Sequence, residues 1–397
     1  MHIHTVKPGD TIFKIAREYS SSPMKIIENN SLENPDRLSV GQKLLILTPT
    51  RTYTVRGGDN LGKIAERFGV KYEELLANNP YLSGTDKIYP GQLLSVKYDT
   101  PAYGMASANG YYYRGCTEDR LSLALPYLSY VTVACAKRYG DEIHLAFDCS
   151  EVLNTVRKWG KIPLARIYDE TENKAPTERY TENILKLAKS GGFGGIMLAS
   201  YSAMKANPKG FSEFLMRLKK SLMENNLFLF VEIDGNSPIC EIADIADGYS
   251  LMYEKACLDD IPKFSLAERK AMENFAESFE QSKAYLEIPS SAYSGKEEIT
   301  KNVAERLAYN SATGINTDRE RGICYFDYNK YKGGRKEKTK VCYESLENIK
   351  AKLELVGELG FMGINFDIMK IPTEYLMLFE TMFRRPPVFS FQDSGAM

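Results

Sequence analysis

The chain has 397 residues, more than one hydrophobic core usually serves, so two or three domains are expected, with room for one large barrel. Lysine and arginine number 51 against 52 acidic residues, and the formal charge of -1 removes the usual electrostatic case for nucleic acid or an anionic membrane surface as partner. Neutral polymers such as glycans remain. No stretch reads as membrane-spanning, and the start, Met1-His2-Ile3-His4-Thr5-Val6-Lys7, runs into domain pattern without the basic and apolar regions of a signal peptide. Synthesis in the cytoplasm without a leader is the expectation. The seven cysteines are odd in number and scattered, which argues for plain thiols over a zinc site or a disulfide framework. His2 and His4 lack a third ligand, so neither a metal nor a cofactor is expected.

The first 98 residues contain a repeat. Thr5-Val6-Lys7-Pro8-Gly9-Asp10-Thr11-Ile12 aligns with Thr54-Val55-Arg56-Gly57-Gly58-Asp59-Asn60-Leu61, Asn29-Asn30 with Asn78-Asn79, and Gly41-Gln42 with Gly91-Gln92. Each copy reads as strand, helix, helix, strand. Gly-Asp makes a turn, the aspartate is placed to cap the first helix, Asn-Asn ends the second, and Gly-Gln opens the last strand. The pattern resembles the LysM module, with copies at 1–49 and 50–98. The resemblance implies a shallow groove for chains containing N-acetylglucosamine, peptidoglycan or a chitin-like polymer, formed by the loop before the first helix and the loop after the second. Carried over by position, that groove involves Asp10, Thr11, Ile12, Asn29 and Asn30 in the first copy, and Asp59, Asn60, Leu61, Asn78 and Asn79 in the second. The plainer reading is that the aspartates are only helix caps and the asparagines only left-handed turn residues. Two tethered modules on one polymer gain by effective concentration.

From about residue 99 short β-rich apolar runs alternate with helical stretches, the pattern of βα units. Eight strands are expected, at 106–113, 130–136, 162–168, 195–200, 227–233, 248–253, 284–289 and 360–366, with helices such as 181–189 and 210–224 between them. A (β/α)8 TIM-type barrel over 99–385 is the economical α/β architecture. A small α+β insertion near 319–347 carries its own strands, and 386–397 reads as a tail. The order of features resembles family 18 glycoside hydrolases, in the LysM-bearing branch that includes spore cortex-lytic N-acetylglucosaminidases. The stretches carrying it are Gly192-Phe193-Gly194-Gly195-Ile196, Leu251-Met252-Tyr253-Glu254 and Gly360-Phe361-Met362-Gly363-Ile364.

The family's fourth strand carries D-x-x-D-x-D-x-E, whose Glu protonates the leaving oxygen while its neighbouring Asp positions the substrate acetamide as internal nucleophile. Those four positions here hold Gly194, Met197, Ala199 and Tyr201, none of them acidic. The strand period turns Met197, Ala199 and Tyr201 into the barrel together. The sixth strand has Tyr253-Glu254 in place of Tyr-Asp, and Asp367 stands where the family's sugar-flooring tryptophan is expected; the only tryptophan, Trp159, precedes the third strand. Glu232, Asp234, Glu254 and Asp367, with Asp169 and Glu170, are the remaining carboxylates near strand ends from which an acid/base pair could be rebuilt, or they are ion-pair partners without chemistry. Three functions follow: a glycan-anchored protein of spore coat, cortex or cell wall with an inactive barrel, an active cortex-lytic glycosidase using relocated carboxylates, or a coat scaffold that recognises other spore proteins.

Overall fold

A computed structural model describes residues 1–82, 85, 87–99, 103–169, 176–234, 237, 239–252, 272–273, 277, 283–332 and 335–386. Each repeat is a βααβ unit. The first comprises β1 (His2–Thr5), α1 (Ile12–Glu18), α2 (Pro23–Asn29) and β2 (Lys43–Ile46), the second β3 (Arg51–Thr54), α3 (Leu61–Phe68), α4 (Tyr72–Ala77) and β4 (Leu93–Lys97). In each the two strands pair antiparallel. The apolar residues recur at helical spacing, so Ile12, Ile15, Ala16 and Ile26 close one small core and Leu61, Ile64, Ala65 and Leu75 the other.

The aspartates do not cap the helices. Thr11 Oγ1 accepts from Lys14 N at 3.2 Å and Asn60 Oδ1 from Lys63 N at 2.9 Å, one residue later than the sequence suggested. Asp10 and Asp59 instead close the preceding turns by accepting from the backbone N–H of Lys7 and Arg56, each at 2.8 Å. Nor are the asparagines left-handed: Asn30 has φ -108° and Asn78 φ -73°, and the positive φ after α2 belongs to Ser31.

Eight parallel strands follow: β5 (Ser107–Tyr112), β6 (Tyr130–Tyr139), β8 (Ile162–Tyr168), β9 (Gly195–Ala199), β10 (Phe228–Ile233), β11 (Gly248–Leu251), β12 (Ala284–Glu287) and β18 (Gly363–Asp367). Pairing of β5 with both β6 and β18 closes the ring. A short β7 (Glu142–Leu145) folds back on the end of β6. All eight expected strands are present, with ends shifted by a few residues.

The insertion is larger than expected and begins earlier. It leaves the barrel after β12 and forms a five-stranded antiparallel sheet of β13 (Ser291–Ser294), β14 (Glu297–Thr300), β15 (Asn316–Asp318), β16 (Ile323–Lys332) and β17 (Arg335–Glu344), packed on the helix Lys301–Asn310. Only the long β16–β17 hairpin had a strong strand pattern. The polar β13 and β14, Ser-Ala-Tyr-Ser and Glu-Glu-Ile-Thr, bury one face on that helix and read as loop in isolation.

The barrel encloses two apolar compartments. Between strands and helices lies the main core, with Ile196, Leu198, Val231, Phe214 and Phe379 among its members. Inside the ring are Tyr111, Leu164, Met197, Phe230 and Tyr285. Alternate residues on each strand supply one compartment or the other, as the period of two requires.

A candidate glycan site at the barrel mouth and the LysM loops

Register across the ring sets which side chains meet. Arg166, Met197 and Phe230 are level on β8, β9 and β10, and Glu232 is level with Ser250 on β11. One layer is a hydrogen-bonded polar chain: Thr132 Oγ1 donates to Asn109 Oδ1 (2.9 Å), Asn109 Nδ2 to Asn365 Oδ1 (3.1 Å) and Asn365 Nδ2 to Ser250 Oγ (2.6 Å). Tyr111 joins it through Ser250 at 2.9 Å.

Glu232 is fully buried, and its two oxygens accept three hydrogen bonds. Arg166 grips it with two nitrogens, Nε to Oε1 at 2.6 Å and Nη2 to Oε2 at 2.8 Å, and the Tyr201 hydroxyl donates to Oε2 at 2.9 Å. A bidentate guanidinium is the strongest common partner for a buried carboxylate. Burial opposes the charge on Arg166, but the adjacent Glu232 outweighs it and holds the guanidinium above its ordinary value. Burial, then the charge of Glu232, push the Tyr201 phenol far above its usual range. Tyr113, stacked on Tyr111 at 6.2 Å between ring centroids, is raised for the same first reason, burial.

The sequence-derived positions take separate places. Met197 lies in the ring interior and Ala199 is buried at the end of β9, whereas Gly194 precedes the strand. Tyr201 is not on the strand, as its spacing implied, but on the first turn of the helix Tyr201–Ala206, from which it reaches Glu232 on the next strand. Asp234 does not join Glu232: it pairs with Lys205 at 2.7 Å and accepts from Ser237 at 3.0 Å. Asp367 accepts from Met369 N at 2.9 Å and pairs with Lys370 at 3.3 Å. Asp169 is closed off by Arg138 at 2.9 Å. Glu254 and Glu170 lie outside the described residues. Sequence reasoning missed Arg166, an inward-facing base in an apolar strand, and Glu287, at the end of β12, whose charge acts on Tyr113 and Tyr201.

In the LysM loops the expected groove residues divide. Thr11 and Asn60 are exposed, Asp10 and Asp59 partly so. Ile12 and Leu61 are core residues. Asn30 and Asn79 are buried clamps: each bonds the second helix's carbonyl four residues back, at Ile26 and Leu75, and both the N–H and C=O of one residue on the last strand, Leu45 and Ser95. Asn78 donates to Val96 O at 3.1 Å, and Asn29 is buried. Of the expected groove residues, Thr11 and Asn60, and in part Asp10 and Asp59, are the ones that reach solvent.

Two LysM domains are recognised, at 4–47 and 53–97. YdhD of Bacillus subtilis, named as a sporulation-specific glycosylase, is 28% identical over 260 residues, 60% of this chain and 59% of its own length. The cell wall-binding protein YocH of the same organism is 37% identical over 109 residues, 26% of this chain and 37% of YocH. The chain thus spans less than two thirds of the length of these curated relatives. Among solved structures, the spore cortex-lytic enzyme SleL of Bacillus megaterium superposes with a TM-score of 0.73 at 22% identity, covering 97% of this chain and 98% of SleL. A chitinase from Chromobacterium violaceum superposes with a TM-score of 0.61 at 14% identity over 70% of this chain and 98% of its own. The fold is that of two LysM domains followed by a family 18-type barrel.

Proposed function

We propose that the chain binds peptidoglycan, or a related N-acetylglucosamine polymer, at the spore or cell wall, and that its barrel holds glycan without hydrolysing it. LysM domains support the binding, and relatives named for cell-wall binding and cortex lysis support the setting. The loss of catalysis is argued from Tyr201: the family resemblance puts it at the position of the proton donor, and its hydroxyl is bonded to a Glu232 that Arg166 also grips. Substrate-assisted hydrolysis needs a carboxylic acid to protonate the leaving oxygen and a carboxylate to orient the acetamide. Tyr201, already weaker than an ordinary phenol, cannot supply the proton, and loss of a general acid alone costs about 10²- to 10⁴-fold. Glu232 can donate a proton only by giving up its guanidinium partner. On this reading Tyr113 and Tyr168, partly exposed at the ends of β5 and β8, meet the bound sugar.

The test is incubation of the purified protein with peptidoglycan and with chito-oligosaccharides, scoring sedimentation with the wall and release of reducing ends. Sedimentation without release is expected. Release that disappears in Glu232→Gln or Asp367→Asn would replace this reading with that of a glycosidase whose carboxylates have moved. Failure to sediment with the wall would instead favour the coat scaffold, whose partners are other spore proteins.

A further inference from the structure

The second LysM domain packs on the barrel at Ala77 and Tyr127, and beside that contact the two surfaces part. Between its α3–α4 connection and the turns that lead into β6 and β8 runs a cleft of about 620 Å³, within the size range of small-ligand sites. Trp159, the chain's single tryptophan, lines it and packs against both the barrel core and the core of the second LysM domain. Phe68 stands in the same wall, with the Arg51 guanidinium 4.6 Å from its ring centre.

The charges in the cleft are unbalanced. Six basic and four acidic side chains line it. Lys161 is bound to Glu73 at 2.8 Å and Arg385 to Glu380 at 3.0 Å. Arg51, Lys71, Lys97 and Arg384 then face Glu74 and Asp99, so the cleft is positive in a chain that is almost neutral overall.

The geometry points to this cleft as a second glycan site, taking a carboxylate-bearing saccharide of the muramyl-peptide type. The apolar face of a sugar ring stacks on Trp159, and its carboxylates meet Lys71 and Lys97. The site is distinct from the barrel mouth and, apart from Asn78, from the LysM loops considered above. The ligand class rests on the peptidoglycan reading; the position of the cleft does not.

Tryptophan emission of the full-length protein reads this site directly, because Trp159 is the only tryptophan. Titration with a disaccharide muramyl dipeptide is expected to give a saturable change in emission, and neutral chitotetraose almost none. Both lysines are exposed, so the Lys71→Gln/Lys97→Gln double variant should melt like the parent yet bind the muramyl peptide at least about tenfold more weakly, a difference of about 1.4 kcal/mol. An equal response to chitotetraose, or an unchanged titration in the double variant, overturns the proposal. Unchanged emission in a protein that still sediments with peptidoglycan overturns the cleft alone, whereas failure to sediment as well removes the reading beneath it.

Discussion

Glu232 shows how a buried charge constrains its neighbours. A carboxylate with no exposure inside a barrel persists only if its lone pairs are filled, and Arg166 with Tyr201 fills three of them. Removing one partner should therefore cost far more than removing the pair. Arg166→Met is expected to destabilise the protein by about 3–5 kcal/mol, because it leaves the charge uncompensated, while Arg166→Met/Glu232→Leu recovers most of that loss. Tyr201→Phe removes a single donor and should cost about 1–3 kcal/mol. Urea unfolding midpoints measure all three, and a double variant no more stable than Arg166→Met would contradict the account. Tyr201 could be singled out as a candidate from the sequence because the glycine-rich run 192–195 anchors β9 and fixes the count to position 201. Its partners could not. Which inward residues meet across a closed ring depends on the register of β8, β9 and β10, which no local pattern encodes.

At the scale of the element, the LysM repeat was readable throughout as a chain of strands and helices, but the roles of its polar residues were shifted. A Gly-Asp turn followed by Thr or Asn offers two candidate caps, and the structure uses the later one in both copies. Thr11→Ala should cost about 1 kcal/mol. Asn79→Ala should cost more, about 1–3 kcal/mol, since it strands the N–H and C=O of the buried Ser95. Thermal melts rank the two, and a Thr11 variant less stable than the Asn79 variant would reverse the assignment of cap and clamp. Asp59 has its own pH signature. The backbone N–H of Arg56 and the Tyr53 hydroxyl lower its pKa more than desolvation raises it, and Arg67 and Arg56 add to the effect. A carboxyl held below its unfolded value, about 3.9, contributes stability above that pH and loses it as pH falls through the folded value. The stability difference between the parent and Asp59→Asn should stay constant from neutrality to about pH 5 and close below about pH 4. A gap that persisted at low pH would show that the turn, and not the charge, accounts for the difference.

Across the whole molecule, the LysM domains are built into the barrel and are not strung before it. Leu45, Leu47, Ala77 and Tyr98 belong to the barrel's own core cluster, and Tyr127 of the barrel donates to Ala77 O at 2.7 Å. The first domain docks on the insertion: Gln42 Nε2 donates to Glu305 Oε2 at 3.0 Å, and Lys301 sits between Glu305 at 2.7 Å and Glu374 at 2.6 Å. With the modules fixed in this way, a glycan strand bound by them, as proposed above, would meet the barrel at a set position and orientation. The sequence concealed this arrangement because the two copies look alike. Gly41 and Gly91 open equivalent strands with φ of +87° and +88°, yet a Cβ on Gly91 would meet nothing within 4 Å, whereas one on Gly41 would lie 1.9 Å from the Ile315 carbonyl oxygen. The turn shared by the two copies explains both glycines, and only the tertiary contact distinguishes them. Gly91→Ala should carry only the strain of a left-handed residue, about 1 kcal/mol. Gly41→Ala adds a clash with backbone that cannot rotate away, so the first LysM domain should separate from the insertion. Small-angle scattering is expected to show a larger radius of gyration, and limited proteolysis faster cutting between residues 47 and 52, for Gly41→Ala but not for Gly91→Ala. Equal behaviour of the two variants would mean that the contact at Ile315 does not hold the first domain in place.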